Sequence, residues 1–381
     1  MVSKVNPVED GTELPRQPVS LALLFVLAIV FFTFVTALSE VYHNRQNALA
    51  VNSYAQGVAD LNGGRFALAV DEFRSALRYS PDNFEYELSL AEALLGLKRT
   101  EEAHEYLNTL RERQPDHAQV NLLLARIAAR DGKTDEALRF YHNAIYATWP
   151  DDQEARRRDT RFELIEYLLT VNSKAQAQSE LIALAASLNN QPDQQTRLGQ
   201  LFLRAQDDER ALAAFRNSLS SPSKSYADTV GAGTAAFELG RYPVAQRYLQ
   251  AAVLADPQDT KSAALLRITQ LVLQMDPFQR RLSVEKRNRV VIQAFSTAGA
   301  RLTSCGTSRN APSASAFQVL VDKWTKMKPE ITERQLQRDP DLVESAMELV
   351  FSIEHQTSNW CAVASEPDTA LLLIARLHEG S

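Results

Sequence analysis

The chain has 381 residues, 45% of them hydrophobic and 23% charged, and carries a net charge of -6. That balance describes a folded protein and excludes the broad basic footprint with which chains hold nucleic-acid phosphates. With 13 Gly and 15 Pro, collagen-like and low-complexity chains are excluded too.

Residues 1–18, "MVSKVNPVEDGTELPRQP", are polar and rich in helix breakers, and are expected to form a disordered tail. "VSLALLFVLAIVFFTFVTAL" (Val19 to Leu38) then runs without a charge, long enough as a helix to span about 30 Å of hydrocarbon. This predicts one transmembrane helix, a signal anchor over 19–39. A cleaved signal peptide, with Ala37 and Ser39 as the small residues before the cut, is the competing reading, although its leader would be long and partly acidic. Lys4 and Arg16 precede the span and Arg45 follows it, so the charge bias places the N-terminus in the cytoplasm and the body outside it, on the periplasmic side.

A fixed period organises the chain beyond the apolar run. Taking Ala69 in "GRFALAVDEFRSAL" as reference, equivalents fall at Ala103, Ala137, Ala177, Ala211 and Ala245, in steps of 34, 34, 40, 34 and 34. The long step holds "TWPDDQEARRRD" (148–159), read as a polar insertion at a turn. Four residues after each reference stands a bulky side chain: Phe73, Leu107, Tyr141, Leu181, Phe215 and Leu249. Twelve residues before it lie Gly57, Ala91, Ala125, Ile165, Gly199 and Gly233, mostly small. The i, i+4, i+7 pattern of each unit is one stripe of an α-helix. Small residues of two helices are expected to face each other at a close crossing, with Gly64, Gly132 and Gly240 in the turn and Pro81, Pro115 and Pro257 closing units. A single hairpin cannot bury its stripe, so neighbours must stack.

These motifs resemble the tetratricopeptide repeat, a helix–turn–helix unit of 34 residues, over residues 50–258 as six repeats. The family's early tryptophan is missing throughout, and the fourth and fifth repeats lack the closing proline in place. The resemblance implies an all-α, right-handed superhelical solenoid whose concave face is lined by the first helix of each repeat. Groove positions carried over include Tyr54, Glu92, Arg126, Arg130, Glu166, Arg197, Gln200 and Arg204. Arginines among apolar and carboxylate neighbours suit an extended protein or peptide segment. The bland alternative is a charged face that merely solvates its helices. The family's clamp for C-terminal carboxylates needs Lys and Asn in adjacent repeats, and that pattern is absent.

Beyond 258 the period stops. Stretches 260–275, 283–305, 313–327, 339–356 and 366–380 read as helices of a capping and C-terminal module, 259–381, in which no family is recognised. Cys305 and Cys361 both lie in it; a bridge follows from an extracytoplasmic body, free buried thiols from a cytosolic one. No CxxC, HExxH, GxxxxGK[ST] or GxSxG occurs, so no metal, cofactor or catalytic set is expected. "GAGTAA" (231–236) loosely matches a dinucleotide fingerprint, but it falls within a repeat helix, where close packing explains it. The expectation is a membrane-anchored scaffold or adaptor, not an enzyme, that assembles or stabilises an envelope complex. The alternative makes the C-terminal module an enzyme or ligand-binding domain whose repeats recruit substrate.

Overall fold

The structure, a computed structural model, describes residues 17–149, 153–188, 191–221, 225–306, 314–361 and 365–378. It divides into two compact units, 1–161 and 162–381. In the first, α1 (Gln17–Asn62) packs on α2 (Phe66–Tyr79), α3 (Phe84–Gly96) on α4 (Thr100–Arg113), and α5 (Ala118–Arg130) on α6 (Thr134–Tyr146). The division falls within α7 (Gln153–Thr170), which is followed by α8 (Lys174–Ser187). In the second unit α9 (Pro192–Arg204) pairs with α10 (Asp208–Leu219), and α11 (Tyr226–Glu238) with α12 (Tyr242–Ala255). Pairs stack through their second helices: α2 meets α3, α4 meets α5, α10 meets α11, and α12 meets α13 (Thr260–Met275).

The six reference alanines are fully buried, and each bulky residue one turn later is 2% exposed or less. The close contact differs from two small residues meeting. A Cβ added to Gly57 would lie 2.6 Å from the Phe73 ring, one on Gly199 2.7 Å from Phe215, and one on Gly233 2.9 Å from Leu249. The small residue of the first helix is therefore a seat for the bulky residue of the second. Gly231 presses on Phe215 from the following repeat, so the glycines of "GAGTAA" are consumed by packing on both sides.

Every first helix ends alike. A residue with positive φ closes it at Gly64, Lys98, Gly132, Asn172, Gln206 and Gly240, at the same repeat spacing. The next residue's N–H then reaches back five residues, as Arg99 to Leu94 (2.9 Å) and Asp207 to Phe202 (2.9 Å). This Schellman geometry satisfies carbonyls the helix end leaves open. Glycine adopts it without penalty at three of the six turns; Lys98, Asn172 and Gln206 carry a Cβ into it.

Several boundaries depart from expectation. Residues 1–16 of the expected disordered tail lie outside the described residues, while Gln17 and Pro18 begin α1. The apolar stretch is not a separate element, because α1 runs unbroken from it into the first repeat, where Ala50 becomes buried. Its apolar residues Leu23 to Leu38 are exposed, and the helix is long and apolar enough to cross a membrane. In the polar insertion, Pro150 to Asp152 lie outside the described residues, and residues 153–159 are helix rather than turn. They lengthen α7 to 18 residues, where α9 and α11 have 13.

The module after 258 is not packed apart from the repeats. Helices α14 (Val284–Gly306), α15 (Ala314–Met327), α17 (Asp341–Trp360) and α18 (Glu366–His378), with a short α16 (Glu333–Arg338) that the sequence did not announce, enclose one core. That core runs from Tyr242 of the last repeat through Val272, Phe295 and Val350 to Ile374. A disulfide joins Cys305 to Cys361, their Cα atoms 5.6 Å apart, and ties the end of α14 to the residue after α17. Arg301, Glu354 and Asp368 are buried in the same region. Among the described residues neither carboxylate oxygen of Glu354 has a hydrogen-bond partner. Burial, reinforced by Asp368 and opposed by Arg301, pushes the Glu354 carboxyl up from 4.5 to about 8.

Two outcomes follow from these contacts. Replacing Lys98 or Gln206 by Gly removes a left-handed strain and is expected to raise stability by about 0.5–1 kcal/mol, whereas Gly199→Ala forces the Phe215 ring aside and costs about 1–3 kcal/mol; denaturant midpoints of the detergent-solubilised chain measure both. Glu354 keeps its proton in the fold over a pH range where the unfolded chain has released it. Stability therefore falls as pH rises from about 4.5 to about 8, by about 1.4 kcal/mol per unit of displacement at most. Glu354→Gln is expected to flatten that slope and raise stability at pH 8, and an unchanged pH profile of melting would count against it.

Candidate partner-binding faces

In the first unit, Leu123, Arg126, Ile127 and Arg130 fall at i, i+3, i+4 and i+7 along α5, one stripe of a helix. Facing them on α3 are Glu92 and Leu95, one turn apart. Together these six line an open depression of about 460 Å³, with apolar side chains between two arginines and a carboxylate. Glu92 accepts a hydrogen bond from Gln119 Nε2 at 2.5 Å. Burial pushes its carboxyl above the usual carboxylate range, against the pull of Gln119, Arg126 and Arg156. Arg130 Nη2 lies 3.5 Å from Asp131.

Glu92 also borders a smaller depression of about 320 Å³ with His117, Trp149 and Arg156. His117 is the cap of α5: its Nδ1 accepts from the Val120 N–H at 3.4 Å, and its ring packs on Phe84. Burial lowers its pKa, which favours the neutral ring that this acceptor role requires. Trp149 is buried and donates its indole N–H to Ala144 O at 3.0 Å. Tyr54 does not line either depression. Its ring stacks on Tyr86, with centroids 4.5 Å apart, and leans on Phe73, which makes it part of the packing between the first two repeats.

In the second unit, Glu166 on α7, Arg197, Gln200 and Arg204 on α9, and Asp228 on α11 border an open depression of about 640 Å³. The residues on α9 again fall at helical spacing, i, i+3 and i+7. Arg197 is held twice, by an ion pair to Glu166 at 2.8 Å and by stacking 3.9 Å over the Phe162 ring. Such a pinned guanidinium keeps its planar face while one carboxylate neutralises it. Seven of the eight groove residues expected from the sequence thus fall on two depressions, three in the first unit and four in the second. Asp228, Thr196, His117, Gln119 and Trp149 were not anticipated, because no local pattern marks them. Among the described residues no group of three or more His, Cys, Asp or Glu is placed to hold a metal ion.

The tetratricopeptide repeat family matches residues 61–127 and 230–268. No curated protein matches the chain. Among solved structures it is similar to pilF of Pseudomonas aeruginosa, at 15% identity and a TM-score of 0.42, over 59% of this chain and 98% of that one. It is similar also to PilW, a type IV pilus biogenesis factor, at 18% identity and 0.41, over 59% and 99%. Yeast Tom70 aligns over 88% of this chain and 64% of its own, at 12% identity and a TM-score of 0.37. Repeats of this family bind protein partners in general and are typically non-catalytic scaffolds. The stacked helix pairs and the two matched segments identify the chain as a tetratricopeptide-repeat protein with a long apolar N-terminal helix, compatible with a membrane anchor or a signal.

Proposed function

We propose that this protein is a membrane-anchored scaffold whose repeat faces take extended or helical segments of a partner protein and so assemble or stabilise an envelope complex. One observation carries the reading: expected groove residues from successive first helices gather around open depressions lined by both charged and apolar side chains. Burial of apolar side chains supplies affinity, and arginines such as Arg126 and Arg130 select carboxylates on what binds. The apolar part of α1 anchors the chain as a helix crossing the bilayer. The Cys305–Cys361 disulfide supports a body on the oxidising side of that membrane, in line with the charge bias around the span.

Crosslinking in membranes, followed by recovery of the protein, tests the binding face. The double change Arg126→Glu and Arg130→Glu is expected to abolish recovery of one crosslinked partner while the protein still melts cooperatively; recovery of every partner as in the wild type would overturn the proposed face. A reporter that is active only in an oxidising compartment, fused after Ser381, is expected to be active. A cytosolic signal would overturn the placement of the body without touching the binding face.

A further inference from the structure

In the depression of the second unit the buried Asp228 carboxylate is short of hydrogen-bond donors, although Arg197, Gln200 and Arg204 border the same space. Thr196 gives its hydroxyl proton to Pro192 O at 3.0 Å, and Ser218 gives its own to Asp228 Oδ2 at 2.6 Å. The two hydroxyl oxygens also lie 3.1 Å apart, where either can donate, so their two protons are shared among three acceptors and neither serves Asp228 Oδ1. Asp228 is 1% exposed, yet among the described residues its Oδ1 has no hydrogen-bond partner and no cation pairs with it. A carboxylate withdrawn from water with a single hydrogen bond is costly, and an incoming group that brings donors and positive charge relieves that cost.

The charges around the depression favour the same kind of group. Arg197 is neutralised by Glu166, which leaves Arg204 as one positive charge against Asp193 and Asp228. Among the described residues the balance is negative. Leu201 and Pro192 border the same space and offer apolar surface to a methylene chain.

We propose that this depression binds a cationic side chain of the partner segment, a lysine ammonium or an arginine guanidinium, with Asp228 as its buried counter-ion and the hydroxyl oxygens of Thr196 and Ser218 as further acceptors. An ammonium carries three donors and no acceptor, and so meets the deficit without adding to it. The inference rests on reading this face as a binding surface and specifies what enters it.

The test uses the full chain in detergent micelles and three capped tripeptides, alanine–X–alanine with X as lysine, norleucine or glutamate, titrated by ligand-observed saturation-transfer NMR. The lysine peptide is expected to bind at least about fivefold tighter than norleucine, and glutamate weakest, as a desolvated charge pair requires. Asp228→Asn keeps the shape and an acceptor for Ser218 but removes the charge, and is expected to erase the preference for lysine. Equal binding of lysine and norleucine, or a preference that survives Asp228→Asn, overturns the inference. Should that variant melt early, Arg204→Gln replaces it: removing a like charge from the exposed rim is expected to tighten lysine binding about two- to fivefold, and unchanged or weaker binding overturns the inference. Loss of a crosslinked partner on changing Arg126 and Arg130, together with no lysine preference here, sinks the cationic site and leaves the scaffold standing.

Discussion

The structure depends on one contact that recurs along the chain, a bulky side chain of a repeat's second helix seated on a small residue of the first. Phe73 on Gly57, Phe215 on Gly199 and Leu249 on Gly233 are its clearest forms. The contact sets the distance between paired helices, because a methyl group added at the seat would fall inside the ring's van der Waals radius. With the distance fixed, the reference alanines are buried completely, and the outer sides of α2, α4, α10 and α12 are left to meet the next helix. Stacking is then the only way to cover the remaining apolar edge. The candidate faces are a consequence, since the first helices expose whichever side the seats do not occupy.

The repeat was legible because its determinants lie on one helix or on two helices joined by a short turn. Ala69, Phe73 and Ala76 are buried as their spacing requires, and their equivalents are buried in all six repeats. The turns were half legible: Gly64, Gly132 and Gly240 announce a left-handed backbone, whereas Lys98, Asn172 and Gln206 adopt it because the surrounding repeat imposes it. Beyond 258 the helices could be read from their composition, but their arrangement could not. Tyr242, Phe295 and Ile374 share a core although more than a hundred residues separate the first from the last, and no period links them.

The candidate sites divide in the same way. Arg126 and Arg130, or Arg197, Gln200 and Arg204, were legible as stripes on single helices. What they do once placed depends on other elements. Arg197 is pinned by Glu166 and Phe162 from the preceding repeat, and Glu92 is held by Gln119 from the following one. Tyr54 shares the stripe position of the groove residues but is drawn into packing by Tyr86 and Phe73. Asp228 was invisible for the strongest reason: its character comes from a missing partner, which only the full set of neighbours defines.

The continuity of α1 adds a mechanical constraint to this chemistry. Between Leu38, the last residue of the apolar stretch, and Ala50, the first residue buried in the repeats, lie twelve helical steps, about 18 Å of rise. Glu40, His43 and Arg45 make this stem polar, and neither Gly nor Pro interrupts it. A helix bends sharply only where its hydrogen-bond ladder is broken, and this ladder is whole. The first repeat therefore takes its direction from the apolar helix itself. With that helix in a bilayer, the first unit is held upright on a stem, and its face with Arg126 and Arg130 is presented at a fixed height rather than swung on a tether. In the proposed role, a partner approaching from the membrane surface would meet this face in a fixed orientation, which lowers the orientational cost of binding that a flexible linker would impose.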